Sequence, residues 1–328
     1  MQTQLRQAVV VAFGRTPYCK ARKGSFAQLH PVEYGAQTLL GVLARVPQLR
    51  PEDIGDVIMG CAMPFGVQGG NMARLIVQRA GLPDCVTAQT VNRYCSSGLQ
   101  TIATAANAIR CGEEDVVIAG GVESMSLVPM LVGAEDADPW LAEHRPEVYT
   151  TMGITAENVA RQWGISRADM DAMAVESHRR AAQAQAGGCF DGQIIPITVH
   201  GKRENTVITT DEHVRRDTTL EKLAKLKPTF KADGRVTAGN ASGMNDASSG
   251  VLLMEEELSK KLGLPILARV VAVATTGVSP DLMGIGPISA TQKVLEKAGL
   301  TVSDIDLFEI NEAFAAQCVT CQRTLGID

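Results

Sequence analysis

The stretch V-T-A-Q-T-V-N-R-Y-C-S-S-G-L-Q-T-I-A-T-A-A-N-A-I-R-C-G-E-E-D-V-V-I-A, residues 86–119, decides the fold class. Residues 86–91 form a short run of strand character. Residues 97–110 then place Leu99, Ile102, Ala103, Ala106 and Ile109 at helical spacing, and residues 116–119 open a second apolar run. Ser96 or Ser97 stands where a helix is capped and Gly112 where one ends, so the order is strand, helix, strand around a largely internal sheet. Cys95 falls at the strand-to-helix junction. There the free N–H groups and the positive end of the helix macrodipole favour a thiolate by ~0.3–1 kcal/mol, and Arg93 adds positive charge. The position suits a nucleophile; it also suits the small buried hydrophobe that a free cysteine more often is.

The pattern continues outward. Upstream, residues 8–13 and 57–59 read as strands and residues 32–46 and 71–80 as helices. Downstream, L-T-V-S-D-I-D-L-F-E-I at residues 300–310 echoes L-R-P-E-D-I-G-D-V-I-M at residues 49–59 with an offset of 251, pairing Leu49 with Leu300, Asp53 with Asp304 and Ile54 with Ile305. Each copy follows an amphipathic helix and leads into an apolar run expected to be a buried strand. Two related α/β halves follow from this, residues 1–125 carrying Cys95 and residues 251–328 forming part of the second. Between them, residues 126–250 have helical character over 155–185 and a polar stretch over 200–231, as expected of a covering segment that completes a site.

The whole chain has 328 residues, 45% hydrophobic, 20% charged and 4% aromatic, which places it among folded proteins. Its net charge of −5 argues against nucleic acid or an anionic membrane as partner, and no segment approaches the ~20 apolar residues of a membrane span. The eight cysteines are scattered, and the N-terminal residues are not expected to be a secretory leader. The cysteines are expected to be reduced thiols of a soluble cytoplasmic protein. Cys318 and Cys321 form a C-x-x-C without the further ligands zinc requires, so no metal is expected and the pair should pack along a terminal helix. Residues 201–235 hold nine basic and six acidic side chains, a local +3 against −8 elsewhere. That is either a solvated face or a dock for a phosphorylated ligand.

Two further segments are polar within apolar surroundings. V-T-A-G-N-A-S-G-M-N-D, residues 236–246, gathers Gly239, Gly243, Asn240, Asn245 and Ser242 in one loop, where small residues allow close backbone approach to a ligand. N-E-A-F-A, residues 311–315, follows the strand-like residues 307–310, and its Asn and Glu need partners there.

Six segments, in order, resemble the thiolase family over nearly the whole chain. They are V-N-R-Y-C-S-S-G-L-Q (91–100), A-G-G-V-E-S-M-S (119–126), M-G-I-T-A-E-N-V-A (152–160), T-A-G-N-A-S-G-M-N-D (237–246), M-G-I-G-P (283–287) and N-E-A-F-A-A-Q (311–317). The wording is closest to 3-ketoacyl-CoA thiolases of fatty-acid β-oxidation, with acetoacetyl-CoA thiolases next. The resemblance implies duplicated α/β halves in αβαβα layers with a covering loop domain, coenzyme A thioesters as substrates, no permanently bound cofactor, and a homodimer or homotetramer. It implies that Cys95 is the acylated nucleophile and that Asn311 holds a water in an oxyanion hole. Arg215 would lie beside the adenine nucleotide, and Ala238 and Ser242 against pantetheine. Met152, Met283 and Phe314 would line the acyl pocket, where flexible methionine suits variable chains; plain core packing explains each of these three equally well.

Two departures accompany the resemblance. The family's Gly-His-Pro and Cys-x-Gly segments, which supply base and acid, are absent from the 328 residues, and none of His30, His144, His178, His200 and His213 stands in a matching context. With the 251 offset, the counterpart of Cys95 falls near position 346, so the second half is expected to be cut short and the chain as written to lack thiolytic turnover. Thr151 stands where some acetoacetyl-CoA thiolases carry His. The reading implied is a CoA-dependent acyltransferase that cleaves 3-oxoacyl-CoA through an acyl-Cys95 intermediate. The alternatives are an acetoacetyl-CoA thiolase working in the condensing direction, a non-catalytic CoA-thioester binding protein, and a decarboxylating ketoacyl synthase, against which Asn311 and Glu312 count.

Overall fold

Alternating apolar runs and helical segments give, in chain order, β1 (Ala8–Arg15), β2 (Cys19–Lys20), α1 (Pro31–Leu43), β3 (Asp56–Gly60), α2 (Met72–Arg79), β4 (Thr87–Val91), α3 (Ser97–Cys111), β5 (Val116–Ser124), α4 (Pro139–His144), α5 (Met152–Gln162), α6 (Arg167–Ala186), β6 (Ile197–His200), β7 (Asn205–Ile208), α7 (Leu220–Ala224), β8 (Asn245–Glu255), α8 (Glu256–Lys261), β9 (Ala268–Arg269), α9 (Gly286–Ala298) and α10 (Ala315–Leu325). These come from a computed structural model that describes residues 6–130 and 134–327. Residues 1–5, 131–133 and 328, which the expected segments 1–125, 126–250 and 251–328 include, lie outside the described residues. The chain divides into two units, one of Met1–Met130, Phe190–His213 and Met244–Val270, the other of Leu131–Cys189, Val214–Gly243 and Val271–Asp328.

The first unit is a layered α/β structure. Its sheet runs β4-β3-β5-β8-β1-β9, with β2 also on β8. β3 is parallel to β4 and β5, while β8 runs antiparallel to its neighbours β5 and β1. β3 is buried at every position, as a strand covered on both faces must be. The period of two sorts its side chains: Val57, Met59, Val116, Ile118, Leu252 and Met254 join the core beneath α1 and α2, whereas Ile58, Val117, Ala119 and Leu253 join Ala105, Ala106 and Ile109 of α3 on the other face. The strands expected at residues 8–13, 57–59, 86–91 and 116–119 and the helices at 71–80 and 97–110 are all present. The helix expected over 32–46 ends earlier, at Leu43.

Among its described residues the second unit forms helices and no strand. Ala156 and Ala160 of α5, Met170 of α6, and Ala315, Ala316 and Val319 of α10 pack with Ile165 and Val236 as its core. Two expectations change here. The helical stretch 155–185 is two helices, because Gly164 between them turns with φ +65°. Residues 307–310 form no strand, and Leu307 is 76% exposed. A strand is held by ladder bonds to a neighbour, and the described residues of this unit supply none. The repeat itself survives in backbone form: the single 3₁₀ turns Pro51–Asp53 and Val302–Asp304, following α1 and α9, stand 251 residues apart.

Candidate active site

In the first unit, Cys95 sits one turn before α3, in the loop that leaves the end of β4. The first turn of α3 rests directly on the sheet because Gly60, the last residue of β3, has no side chain. A Cβ there would lie 2.7 Å from Ser97 Cβ and 2.8 Å from the Gly98 nitrogen. The loop is tied by its own polar groups. Asn92 Oδ1 accepts the Tyr94 N–H at 2.9 Å, and its amide donates to the Ala62 carbonyl at 3.1 Å. Ser96 Oγ donates to the Arg93 carbonyl at 2.9 Å. Ser97 Oγ accepts the Arg93 N–H at 2.8 Å and donates to the Tyr94 carbonyl at 2.6 Å.

This corrects one expectation: neither Ser96 nor Ser97 caps α3 through its side chain, since both hydroxyls serve the preceding loop. Gly112 does end α3, in the left-handed region at φ +76°. Of the apolar face expected for α3, Ala103, Ala106 and Ile109 are buried, while Leu99 is 69% exposed.

The electrostatics of the thiol also differ from the expectation drawn from the macrodipole. Cys95 is exposed as a residue, yet protein packed about its sulfur desolvates it. Burial pushes the thiol above its ordinary value, the Glu123 carboxylate adds in the same direction, and the Cys95 N–H opposes both. Glu123, on β5, accepts from Ala62 N–H and from Gln68 Nε2, each at 2.7 Å. A carboxylate fixed beside the Cys95 loop was legible only as a charged residue inside the apolar run V-V-I-A-G-G-V-E.

The second unit holds Met152, Arg215, Ala238, Ser242, Met283, Asn311 and Phe314, and a short backbone zipper brings several of them together. Ala241 and Phe314 form an antiparallel bridge, Ser242 N–H donates to the Ala313 carbonyl at 3.0 Å, and Ala315 N–H donates to the Asn240 carbonyl at 2.9 Å. Ser242 thus lies beside the N-E-A-F-A segment. Gln317, buried in α10, donates to the Asn311 carbonyl at 3.1 Å and so fixes the backbone of that residue. Asn311, Ala238, Ser242 and Arg215 are all exposed.

Phe314 meets Phe230 edge-on, with centroids 6.0 Å apart, and the ring of Phe230 fills the space a side chain at Gly153 would take, one residue after Met152. Phe230 is an aromatic member of this group that the sequence did not single out. Met283 lies in the turn next to Gly284, whose carbonyl accepts the Cys321 thiol at 3.6 Å. Cys321 is buried on α10, packing along a helix as expected of the C-x-x-C pair. Among the described residues no group of three or more His, Cys, Asp and Glu is arranged to hold a metal ion.

α6 carries two further polar residues. Ser177 Oγ donates to Glu312 at 2.6 Å, and His178 Nδ1 accepts the Arg215 N–H at 3.2 Å. Burial and then the Arg215 charge hold His178 below its ordinary range, with Glu312 opposing. The basic stretch also resolves by unit. Residues 214–235 carry seven basic and three acidic side chains, a local +4. Asp211 and Glu212 belong to the first unit, where Asp211 pairs with Arg15 at 2.7 Å and Glu212 accepts from the Ser25 N–H at 3.1 Å.

Comparison with known proteins follows the same lines. Residues 8–257 match the family profile of the thiolase N-terminal domain and residues 264–328 that of the thiolase C-terminal domain. The 3-ketoacyl-CoA thiolase of Bacillus subtilis (strain 168) is 47% identical over 99% of this chain and 85% of its own length. The peroxisomal 3-ketoacyl-CoA thiolase of Homo sapiens is 44% identical over 99% of this chain and 78% of its own. The crystal structure of the Bacillus anthracis acetyl-CoA acetyltransferase superimposes with a TM-score of 0.92 at 41% identity, covering 99% of this chain and 84% of that one.

Proposed function

The chain belongs to the thiolase family, an acyltransferase of the β-oxidation type, and on that premise we propose that its reaction runs through Cys95. The Cys95 thiolate attacks the 3-oxo carbon of a 3-oxoacyl-CoA. The bond between that carbon and the adjacent methylene breaks, its electron pair leaves with the acetyl-CoA fragment, and a proton completes acetyl-CoA. The acyl group stays on sulfur until the thiol of free CoA, giving up its proton, attacks the thioester and releases acyl-CoA and Cys95. The Cys95 N–H and a water held on Asn311 would serve the oxyanions, where loss of one donor typically costs ~10²–10³ in rate. Burial holds the thiol above its ordinary value, so this reading calls for a base to take its proton.

The binding groups in this reading are the ones the family resemblance implies. Arg215, within the +4 stretch, suits the phosphates and adenine of CoA, and Ala238 and Ser242 suit pantetheine. Met152, Met283 and Phe314 suit the acyl chain, with Phe230 added. We place the enzyme in the cytoplasm as a homodimer or homotetramer with no resident cofactor. The free state of all eight cysteines supports a reducing compartment, and no described helix is long and apolar enough to cross a membrane.

The observation that carries the reading is the placement of Cys95 before α3 in a loop fixed by Asn92, Ser96 and Ser97. Incubation with a 3-oxoacyl-CoA followed by peptide mass spectrometry tests it. An acyl thioester is expected on Cys95 and on no other cysteine, and a Cys95→Ala variant that takes up the acyl group as the parent does refutes it.

A further inference from the structure

The residue before the nucleophile has a backbone that tyrosine does not choose. Tyr94 has φ +46°, and only Arg22 shares a positive φ among the described non-glycine residues. L-residues avoid this region because Cβ meets the carbonyl oxygen, and the side chains that tolerate it best are the short polar ones, unlike tyrosine. Packing does not hold it there, for Tyr94 is 68% exposed. The restraint lies in hydrogen bonds, and one side chain grips the residue from both ends. Ser97 Oγ accepts the N–H of Arg93, just before Tyr94, and donates to the carbonyl of Tyr94 itself. Ser97 is 4% exposed and its Cβ is seated against Gly60, so the hydroxyl is anchored to the sheet rather than to the mobile end of a side chain.

We infer that Ser97 is a positioning residue: it holds Tyr94 left-handed and thereby sets where the Cys95 sulfur and N–H point. Strain of this kind persists only where its surroundings enforce it, and here it is spent one peptide from the reacting atom. The inference rests on the reading of Cys95 as the nucleophile. Ser97 is buried beneath the loop and acts through Cys95. Glycine adopts a positive φ without cost, which supplies a specific rescue.

The test compares the parent with Ser97→Ala, Tyr94→Gly and the double variant. Alkylation of each cysteine by iodoacetamide is followed by peptide mass spectrometry, with the exposed Cys85, Cys111 and Cys189 as references in the same molecule. Acyl transfer from a 3-oxoacyl-CoA to Cys95 is measured in parallel. Ser97→Ala is expected to slow both reactions at Cys95 about tenfold while the references are unchanged, and Tyr94→Gly added to it to recover most of that loss. Tyr94→Gly alone is expected to stay close to the parent. Parent-like rates at Cys95 in Ser97→Ala, or a double variant as slow as Ser97→Ala, overturn the inference. So does a parallel acceleration at Cys85, Cys111 and Cys189, which would make Ser97 a support of the fold. An acyl group found on the parent at a residue other than Cys95 defeats the underlying assignment instead, and the alkylation rates still decide the role of Ser97.

Discussion

The Glu157 carboxylate accepts the backbone N–H of Val236 at 2.7 Å, and the N–H of Arg235 reaches the same side chain at 2.8 Å. A carboxylate with only 8% of its residue surface exposed thus stands at the root of the loop that leads to Ala238 and Ser242. Charge-assisted bonds to main-chain donors are stronger than neutral ones, and they orient the peptides they hold.

Replacing Glu157 with Gln leaves one oxygen and turns an NH₂ group toward a donor. The variant is expected to lose about 1–3 kcal/mol of stability in urea unfolding. On the proposal that Ala238 and Ser242 meet pantetheine, it is also expected to bind CoA more weakly in calorimetry, because their loop loses its anchor. An unchanged CoA affinity at a temperature where the variant is folded would separate Glu157 from that loop.

Gly60→Ala places a methyl group 2.7 Å from Ser97 Cβ and against the backbone at Gly98. Backbone cannot yield as a flexible side chain can, so about 1–3 kcal/mol of destabilisation is expected. Acylation of Cys95 should slow in the same variant, measured below its melting temperature. The same change at the solvent-facing Gly192, where the new carbon meets nothing, provides the control.

Arg15 and Asp211 form a two-pronged ion pair with side chains 11% and 8% exposed, and Asp211 also accepts the Tyr18 N–H at 2.8 Å. Asp211→Ala leaves a largely buried guanidinium without its carboxylate, with neutral acceptors at Gln193 Oε1 and the Thr16 carbonyl. The expected loss is about 3–5 kcal/mol, read as a shifted denaturation midpoint. Replacing both partners with apolar residues is expected to cost less than the single change.

Alkali should loosen the fold before it reaches the backbone. Burial raises the thiols of Cys61, to about 12, and Cys318, to about 11, and also lifts Cys19, Cys95 and the phenol of Tyr34. Between the unfolded value near 9 for a thiol and the higher folded value, the unfolded chain releases protons that the folded chain keeps. The thiols' contribution is therefore expected to be fully present up to about pH 8 and to be lost as pH rises past 9. Calorimetric melting temperatures across that range check the sign.

The first unit was legible because its strands are either buried on both faces or alternate, and such patterns survive translation into structure. Val57, Ile58 and Met59 announce a covered strand whatever surrounds them. Residues 307–310 carry the same kind of apolar run and form no strand, since a strand needs a neighbour and that information is not local. The thiol of Cys95 shows the converse: the helix dipole could be inferred from position, whereas burial of the sulfur and the charge of Glu123, 28 residues away, both of which raise the thiol, could not. Phe230 escaped notice because K-P-T-F has no periodicity, and its meaning comes from Gly153, distant in sequence. Tyr94 gave no signal either; glycine or asparagine would have advertised a left-handed turn.

β8 occupies the middle of its sheet, between β5 and β1, yet its residues are among the last of that unit to be synthesised. A nascent chain leaving the ribosome with β1 to β5 complete must wait through the whole of α4, α5, α6 and α7 before Asn245–Glu255 arrives to join the two sides. Until then β1 and β5 each present an unpaired, greasy flank, the condition under which chains adhere to one another. High contact order of this sort makes for slow maturation. Yield in the cell should accordingly respond to chaperone supply and to growth temperature more than to any single exchange on the surface.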